Sequence, residues 1–313
     1  MPIEVSTQIR ACSQEEFHAL DRQIMRVAFD VHNEFGRLLG EELYKREIAT
    51  RCLAMGIQPV EREVRIRVTH ESFAKDFSMD LLFSRGSMLE AKAADRLVAI
   101  HRTQALNYLL LAGLKHGRLV NFPTERLQHE FVSTTLTLDE RRRFRVVDDG
   151  WIEMSPTSRA LKLKTIELLE DWGAFLDVNL YREALVHFLG GPSCVCKAVK
   201  IFSGATPIGE QNLNMLDSDT AFALTMKQRQ PTFMQDHLER LLRHTPLKAI
   251  QWINLNRHLA EFTTLRLSSG TNGKQNHGRT ESCTTLDASA TPAVRPSNKG
   301  KTTVDFPMIL STE

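Results

Sequence analysis

The chain has few cysteines and none in a metal-binding pattern. The five, at positions 12, 52, 194, 196 and 283, form an odd set without paired Cys-x-x-Cys spacing. Neither a disulfide framework nor a zinc site is indicated, and the thiols read as core or surface groups. Long apolar runs are missing as well: none approaches the roughly 18 residues that span a bilayer. The opening Met-Pro-Ile-Glu-Val-Ser lacks a basic region followed by an apolar stretch, so a cytoplasmic protein without membrane association is expected. Nor does one sign of charge dominate, since 40 Lys and Arg face 38 Asp and Glu for a net +2. That balance neither demands nor excludes nucleic acid, because phosphate binding needs only a local basic surface. Arg62, Arg65, Arg67, Lys75 and Arg141 to Arg143 are candidates for one, against the alternative of ordinary solvated charges. What remains is a globular composition, 42% hydrophobic and 25% charged over 313 residues, with room for two ordinary domains.

Chemistry concentrates between Ser78 and Lys92. The stretch reads Ser-Met-Asp-Leu-Leu-Phe-Ser-Arg-Gly-Ser-Met-Leu-Glu-Ala-Lys, a hairpin with Asp80 on one apolar run and Glu90 and Lys92 on the next. Burying such groups among Leu81, Leu82, Phe83, Met88 and Leu89 is unfavourable unless they pair or bind a cation. Successive strand side chains alternate between faces, so Glu90 and Lys92 share one and Ala91 takes the other. Asp80 joins them only if the loop has an odd number of residues. A loop such as Arg85-Gly86-Ser87, or a glycine bulge, is therefore expected, with Asp80 opposite Lys92. Two carboxylates then hold a hard divalent cation, and the ammonium positions or deprotonates a water: the chemistry of phosphodiester hydrolysis. The alternative is a structural ion pair.

Helical spacing of Leu20, Ile24, Val27, Ala28, Val31 and Phe35 predicts one helix, and a second runs from about Glu41 to Met55, with Gly36 and Gly56 as stops. Strands are expected near 60–68, 77–83 and 88–92, a helix over about 99–114, and strands near 118–122 and 130–135. This order implies an α/β fold, a mixed sheet with flanking helices. Residues 137–156 read as a polar connector with a turn at Asp148-Asp149-Gly150. From about Leu267, Ser, Thr, Gly, Asn and Lys dominate, and a disordered tail is expected over 267–313.

Gly36-Arg-Leu-Leu-Gly-Glu41-Glu-Leu-Tyr44 precedes the hairpin and His101-Arg-Thr-Gln104-Ala-Leu-Asn107-Tyr108 follows it. From about Ala28 to Thr135 the chain thus resembles the GxxExxY family, a branch of the PD-(D/E)XK nuclease-like superfamily. One departure is that Leu38 stands three residues before Glu41, where the family has glycine, while Gly36 matches an earlier one. The resemblance implies a restriction-endonuclease-like fold, Mg2+ or Mn2+ as cofactor and nucleic acid as partner. It further implies Asp80 and Glu90 as metal ligands with Glu41 completing the acidic cluster, Lys92 as the catalytic lysine, and Gln104, Tyr108 and Tyr44 as supporting or substrate-contacting residues. His32 and His101 read as structural or solvated histidines.

The second half echoes the first. Phe35-Gly-Arg-Leu-Leu followed by Leu43-Tyr44 recurs as Trp172-Gly-Ala-Phe-Leu followed by Leu180-Tyr181, and the segment ending at Asn121-Phe122 recurs before Asn254-Leu255. A degenerate second copy of similar topology is expected over 139–266, after a nuclease-like domain over 1–138, the two forming a pseudo-dimer within one chain. Its chemistry is lost: Val178 stands for Glu41, His237 and Leu241 for Gln104 and Tyr108, and Leu213-Asn-Met-Leu is expected to lead through Asp217-Ser-Asp straight into a helix. The functional expectation is a Mg2+-dependent nuclease acting on DNA or RNA, or alternatively a non-catalytic nucleic-acid-binding or adaptor protein.

Overall fold

The computed structural model describes residues 2–226 and 231–267; the tail expected to be disordered lies outside them from residue 268 onward. Two six-stranded mixed sheets carry the chain. The first runs β1 (Ile3–Val5), β2 (Val60–His70), β3 (Phe73–Phe83), β4 (Ser87–Lys92), β5 (His116–Asn121), β6 (Gln128–Ser133), in that order across the sheet. Its pairs are antiparallel except β4 with β5. A parallel pair needs a crossover, and α3 (Ala99–Ala112) supplies it. On the other face lie α1 (Gln14–Phe35) and α2 (Glu41–Ala54), whose Val27, Val31 and Ile48 pack with Leu81, Leu89, Val120 and Phe122. Ser13 opens α1 through a capping box with Glu16, which satisfies orphan N–H groups of the first turn. Gly36 closes α1 at φ +67°, a region that penalises any Cβ.

The second sheet follows a short α4 (Leu138–Arg142) and comprises β7 (Arg145–Gly150), β8 (Cys196–Ser203), β9 (Thr206–Met215), β10 (Thr220–Thr225), β11 (Ala249–Asn256) and β12 (Leu259–Arg266). Their spatial order is β7-β12-β11-β10-β9-β8. Helices α5 (Pro156–Trp172), α6 (Val178–Phe188), the single-turn α7 (Pro192–Val195) and α8 (Pro231–Arg243) flank it. From α5 onward the order helix, helix, hairpin, strand, helix, two strands repeats that of the first half, with the parallel pair, β10 with β11, again bridged by a helix. Local detail repeats too. The Tyr44 hydroxyl donates to the Gly36 carbonyl at 2.7 Å, and Tyr181 makes the same bond to Gly173, the φ +75° glycine ending α5.

Two expectations fail here, and one strand goes unread. Asp148-Asp149-Gly150 is no turn: these residues belong to β7, which pairs parallel with β12 and thus serves the second sheet. Their polarity misleads because an edge strand tolerates charge. Asp217-Ser-Asp does not lead straight into a helix, because β10 intervenes and pairs with both β9 and β11. Strand β1, three residues long, gave too short a pattern to read.

One apolar cluster spans both halves, joining Ile66, Met79 and Leu109 to Leu168, Trp172, Leu185 and Phe262. Within this seam sits Arg141, expected to be a basic surface group but only 1% exposed. Its Nη1 donates to the carbonyls of Trp172 at 2.7 Å and Ala174 at 3.3 Å, and its Nη2 to that of Leu110 at 3.0 Å. Gly173 follows from this packing, since a Cβ there would lie 2.7 Å from the Arg141 Cβ.

Candidate active site

The hairpin loop is odd, as its spacing requires, but it comprises Ser84, Arg85 and Gly86, with Phe83 paired to Ser87. Ser84 and Arg85 both adopt positive φ, 48° and 61°. The register therefore places Asp80 opposite Glu90, not Lys92, a shift that preserves the shared face. Backbone pairing of the two strands ends at Leu81 with Leu89. Beyond it the Ala91 N–H donates to Asp80 Oδ2 at 2.8 Å. The acid takes the place of a ladder carbonyl, so the strands part where the charges lie.

Asp80 and Glu90 are 7% and 1% exposed. Lys92 Nζ donates to Glu90 Oε1 at 2.8 Å. Burial, and then the charge of Asp80, raise the Glu90 carboxyl to a pKa of about 7 against the opposing pull of Lys92. Nearby cations therefore do not fully compensate the two carboxylates. A hard divalent ion fits this donor set, for both acids retain oxygen lone pairs beyond the bonds they accept.

Sequence reasoning missed two participants. Lys45 on α2, 7% exposed, donates through Nζ to Asp80 Oδ1 at 3.0 Å and Glu63 Oε1 at 2.5 Å. Glu63 belongs to β2 at φ 49°, between Arg62 and Val64, which pair with Leu81 and Met79, so it lies beside Asp80. These bonds, opposed by burial, hold Lys45 above the ordinary lysine range. Nothing in Glu41-Glu-Leu-Tyr-Lys45 announces this role, because a lysine four residues after a glutamate reads as a surface helix pair. Replacing Lys45 with methionine leaves buried Asp80 without its cation, and a loss of about 3–5 kcal/mol in urea unfolding is expected. Unchanged stability would mean that the pair contributes nothing.

The remaining predicted residues divide. Glu41 lies at the start of α2 with Oε1 3.7 Å from Lys45 Nζ, at the rim of the acidic group. Gln104 Nε2 donates to the Tyr108 hydroxyl at 2.8 Å, and burial pushes that phenol up to about 12. His101 caps α3, its Nδ1 accepting from Val98 N, and burial and then the charge of Lys92 lower its pKa. Tyr44 is not placed to touch substrate: it is fully buried, stacks on Phe122 at 4.3 Å and holds the turn between α1 and α2. That turn is built on Gly36, so Leu38 in the family's glycine position is simply exposed. His32 Nε2 bonds the Thr124 carbonyl at 3.0 Å, a structural contact. The expected basic surface is reduced, since Arg62 pairs with Glu42, Arg67 with Asp76 and Lys75 with Glu183 and Arg141 is buried, while Arg65 and Arg143 stay exposed.

In the second sheet the same register places Leu213 and Ala223 where Asp80 and Glu90 stand, and Thr225 where Lys92 stands. A cavity of about 680 Å3 lies there, lined among others by Arg182, Leu213, Ala223, Leu238 and Leu241.

No described helix is long and apolar enough to cross a membrane. No curated protein matches this chain. A solved structure, that of SSO0001, aligns over 40% of this chain and 79% of its own at 15% identity, with a TM-score of 0.21, which is too low to carry an argument. Residues 18–134 match the family model described as PD-(D/E)XK nuclease superfamily, and the helix, hairpin and crossover that bring Asp80, Glu90 and Lys92 together are a PD-(D/E)XK fold.

Proposed function

We propose that residues 1–138 form a nuclease domain that hydrolyses phosphodiester bonds in DNA or RNA with Mg2+, or Mn2+ in its place, and that 139–266 form a degenerate copy without the chemistry. The observation carrying this reading is the buried, opposed pair Asp80 and Glu90 with Lys92 on the same face and no full neutralisation. Asp80 and Glu90 would hold the cation, with Glu41 at the rim. The ion supplies Lewis-acid stabilisation of the charge that develops on the phosphate oxygens. Lys92 Nζ, anchored on Glu90, holds the attacking water in line. Gln104 and Tyr108, bonded to each other on the facing helix, bound the site and offer polar atoms to substrate.

Loss of the acids from the second sheet supports function over structure in the first. Leu213 and Ala223 occupy those strand positions without disturbing the strand order. Such a sheet does not require the charges. The shared element order and the paired Tyr44 and Tyr181 turns support descent of both halves from one unit, packed as a pseudo-dimer.

A second reading has an observation of its own. Lys45 already sits against Asp80, and Arg62, Lys75 and Arg141 of the expected basic surface are paired or buried, as suits an adaptor that binds without turnover. Purified protein with Mg2+ or Mn2+ against single- and double-stranded DNA and RNA, beside Lys92→Ala, separates the two. Cleavage lost in Lys92→Ala supports the nuclease. No cleavage by the wild type on any substrate favours the adaptor, and equal cleavage by both proteins overturns the site assignment.

A further inference from the structure

A second group of metal-ligating side chains lies outside the hairpin, where β2 meets α5. His70, the last residue of β2, has a side chain only 9% exposed. Its Nδ1 is held by Asp171 Oδ2 at 2.5 Å. Its ring meets Trp172 and Phe188 edge-on at 6.1 and 5.6 Å, so both its plane and its direction are set. The other nitrogen, Nε2, is buried and has no hydrogen-bond partner among the described residues. It faces Glu71 Oε1 and Glu167 Oε2, each at 3.9 Å, beyond hydrogen-bond reach. One donor atom from each of these three residues lies within 4.8 Å of the others.

A buried ring nitrogen left without a partner costs free energy unless something occupies the space in front of it. The surrounding charge indicates what that is. Glu71, Glu167 and Asp171 bring three carboxylates, and Lys164 brings one ammonium, bonded to Glu71 at 2.9 Å and Glu167 at 2.5 Å. With the imidazole neutral, as ligation requires, two negative charges remain for a divalent cation to balance. The carboxylate on Nδ1 fixes the tautomer that presents Nε2 as a lone pair, the usual arrangement behind a ligating histidine.

We propose that His70, Glu71 and Glu167 form a second cation site, selective for a divalent transition ion such as Zn2+ that accepts both imidazole and carboxylate. Glu71 and Glu167, half exposed, close on the ion by side-chain rotation, and Lys164 swings out to solvent. Asp171 is a positioning residue acting through the imidazole. Because the ligands come from the end of β2, the turn after it and α5, a bound ion ties the first half to the second, independently of hydrolysis at Asp80 and Glu90.

Calorimetric titration of the full chain with Zn2+ tests this in an Asp80→Asn, Glu90→Gln background, where the hairpin can contribute no site. One equivalent is expected to bind. Glu167→Gln should weaken it at least 10-fold, Asp171→Ala by about 10–100-fold, and Lys164→Met should tighten it by removing the competing ammonium. Glu167 is half exposed, so its variant keeps the test valid where His70→Gln fails to fold, as circular dichroism would report. Absence of Zn2+ binding in that background, binding indifferent to Glu167→Gln, or weaker binding by Lys164→Met would each overturn the site.

Discussion

Glu90→Gln is expected to yield a protein that is inactive and, without metal above neutral pH, more stable than the wild type. On the proposed function, the activity loss follows from removing a proposed metal ligand and the anchor of Lys92 together, and about 10^2–10^3-fold or more in turnover is the scale for losing preorganised electrostatic stabilisation. The stability gain has a different origin. Burial and Asp80 hold the Glu90 carboxyl at about 7 against its ordinary 4.5. Below pH 4.5 both folded and unfolded states are protonated and no penalty arises. Between 4.5 and 7 the unfolded carboxyl ionises while the folded one keeps its proton, so stability falls as pH rises. Above 7 the penalty levels off at roughly 3 kcal/mol. Glutamine is uncharged and escapes it. Saturating Mg2+ should reverse the order, because an ion bound only by the folded wild type adds about 4.1 kcal/mol at a thousandfold excess over its Kd. Thermal unfolding at pH 8 with EDTA and then with Mg2+ reads both signs. A variant no more stable than the wild type in EDTA, with the same response to Mg2+, contradicts this account of the site.

The second large effect is structural. Arg141→Met is expected to destabilise the protein by about 3–5 kcal/mol although methionine fills similar volume. A buried charge can often be exchanged for an apolar group at little cost, but only when its partners are removed with it. Here the partners are the backbone carbonyls of Trp172, Ala174 and Leu110, which no side-chain substitution removes. Each would be left buried with a bond unmade, at about 1–3 kcal/mol apiece. Burial lowers the pKa of the Arg141 guanidinium and so opposes its charge, which sets the gain from removing that charge against the unpaired carbonyls. Urea unfolding decides between them: a midpoint unchanged or raised in Arg141→Met would show that desolvation of the charge outweighs the three bonds. Because these carbonyls belong to α3, to the end of α5 and to the turn after it, the loss falls on the packing of the halves.

Local pattern revealed the helices of the first half and its strands other than β1, because α1 buries an apolar stripe and β3 and β4 bury apolar runs. It also revealed the three charges of the hairpin, which stand out against that stripe. It left open whether Tyr44 contacts substrate or supports the site from within, since an aromatic with a polar tip looks alike whether it lines a cleft or pins a turn. It misread β7, a polar strand whose partner β12 lies more than a hundred residues on. Arg141 looked like one of three consecutive surface arginines, and nothing nearby in sequence signals the carbonyls that receive it.

The amino-acid sequence by itself determined that Asp80, Glu90 and Lys92 share one face, because side-chain alternation and an odd loop are local properties of the chain. It also determined the echo between the halves, visible in Gly36 with Tyr44 and Gly173 with Tyr181. Only the tertiary structure decided that Asp80 faces Glu90, that Lys45 and Glu63 join them, and that His70 from one half meets Glu167 and Asp171 from the other. Those choices depend on strand register and on the approach of helices across the seam. Both are set by burial summed over many residues, which no window of sequence contains.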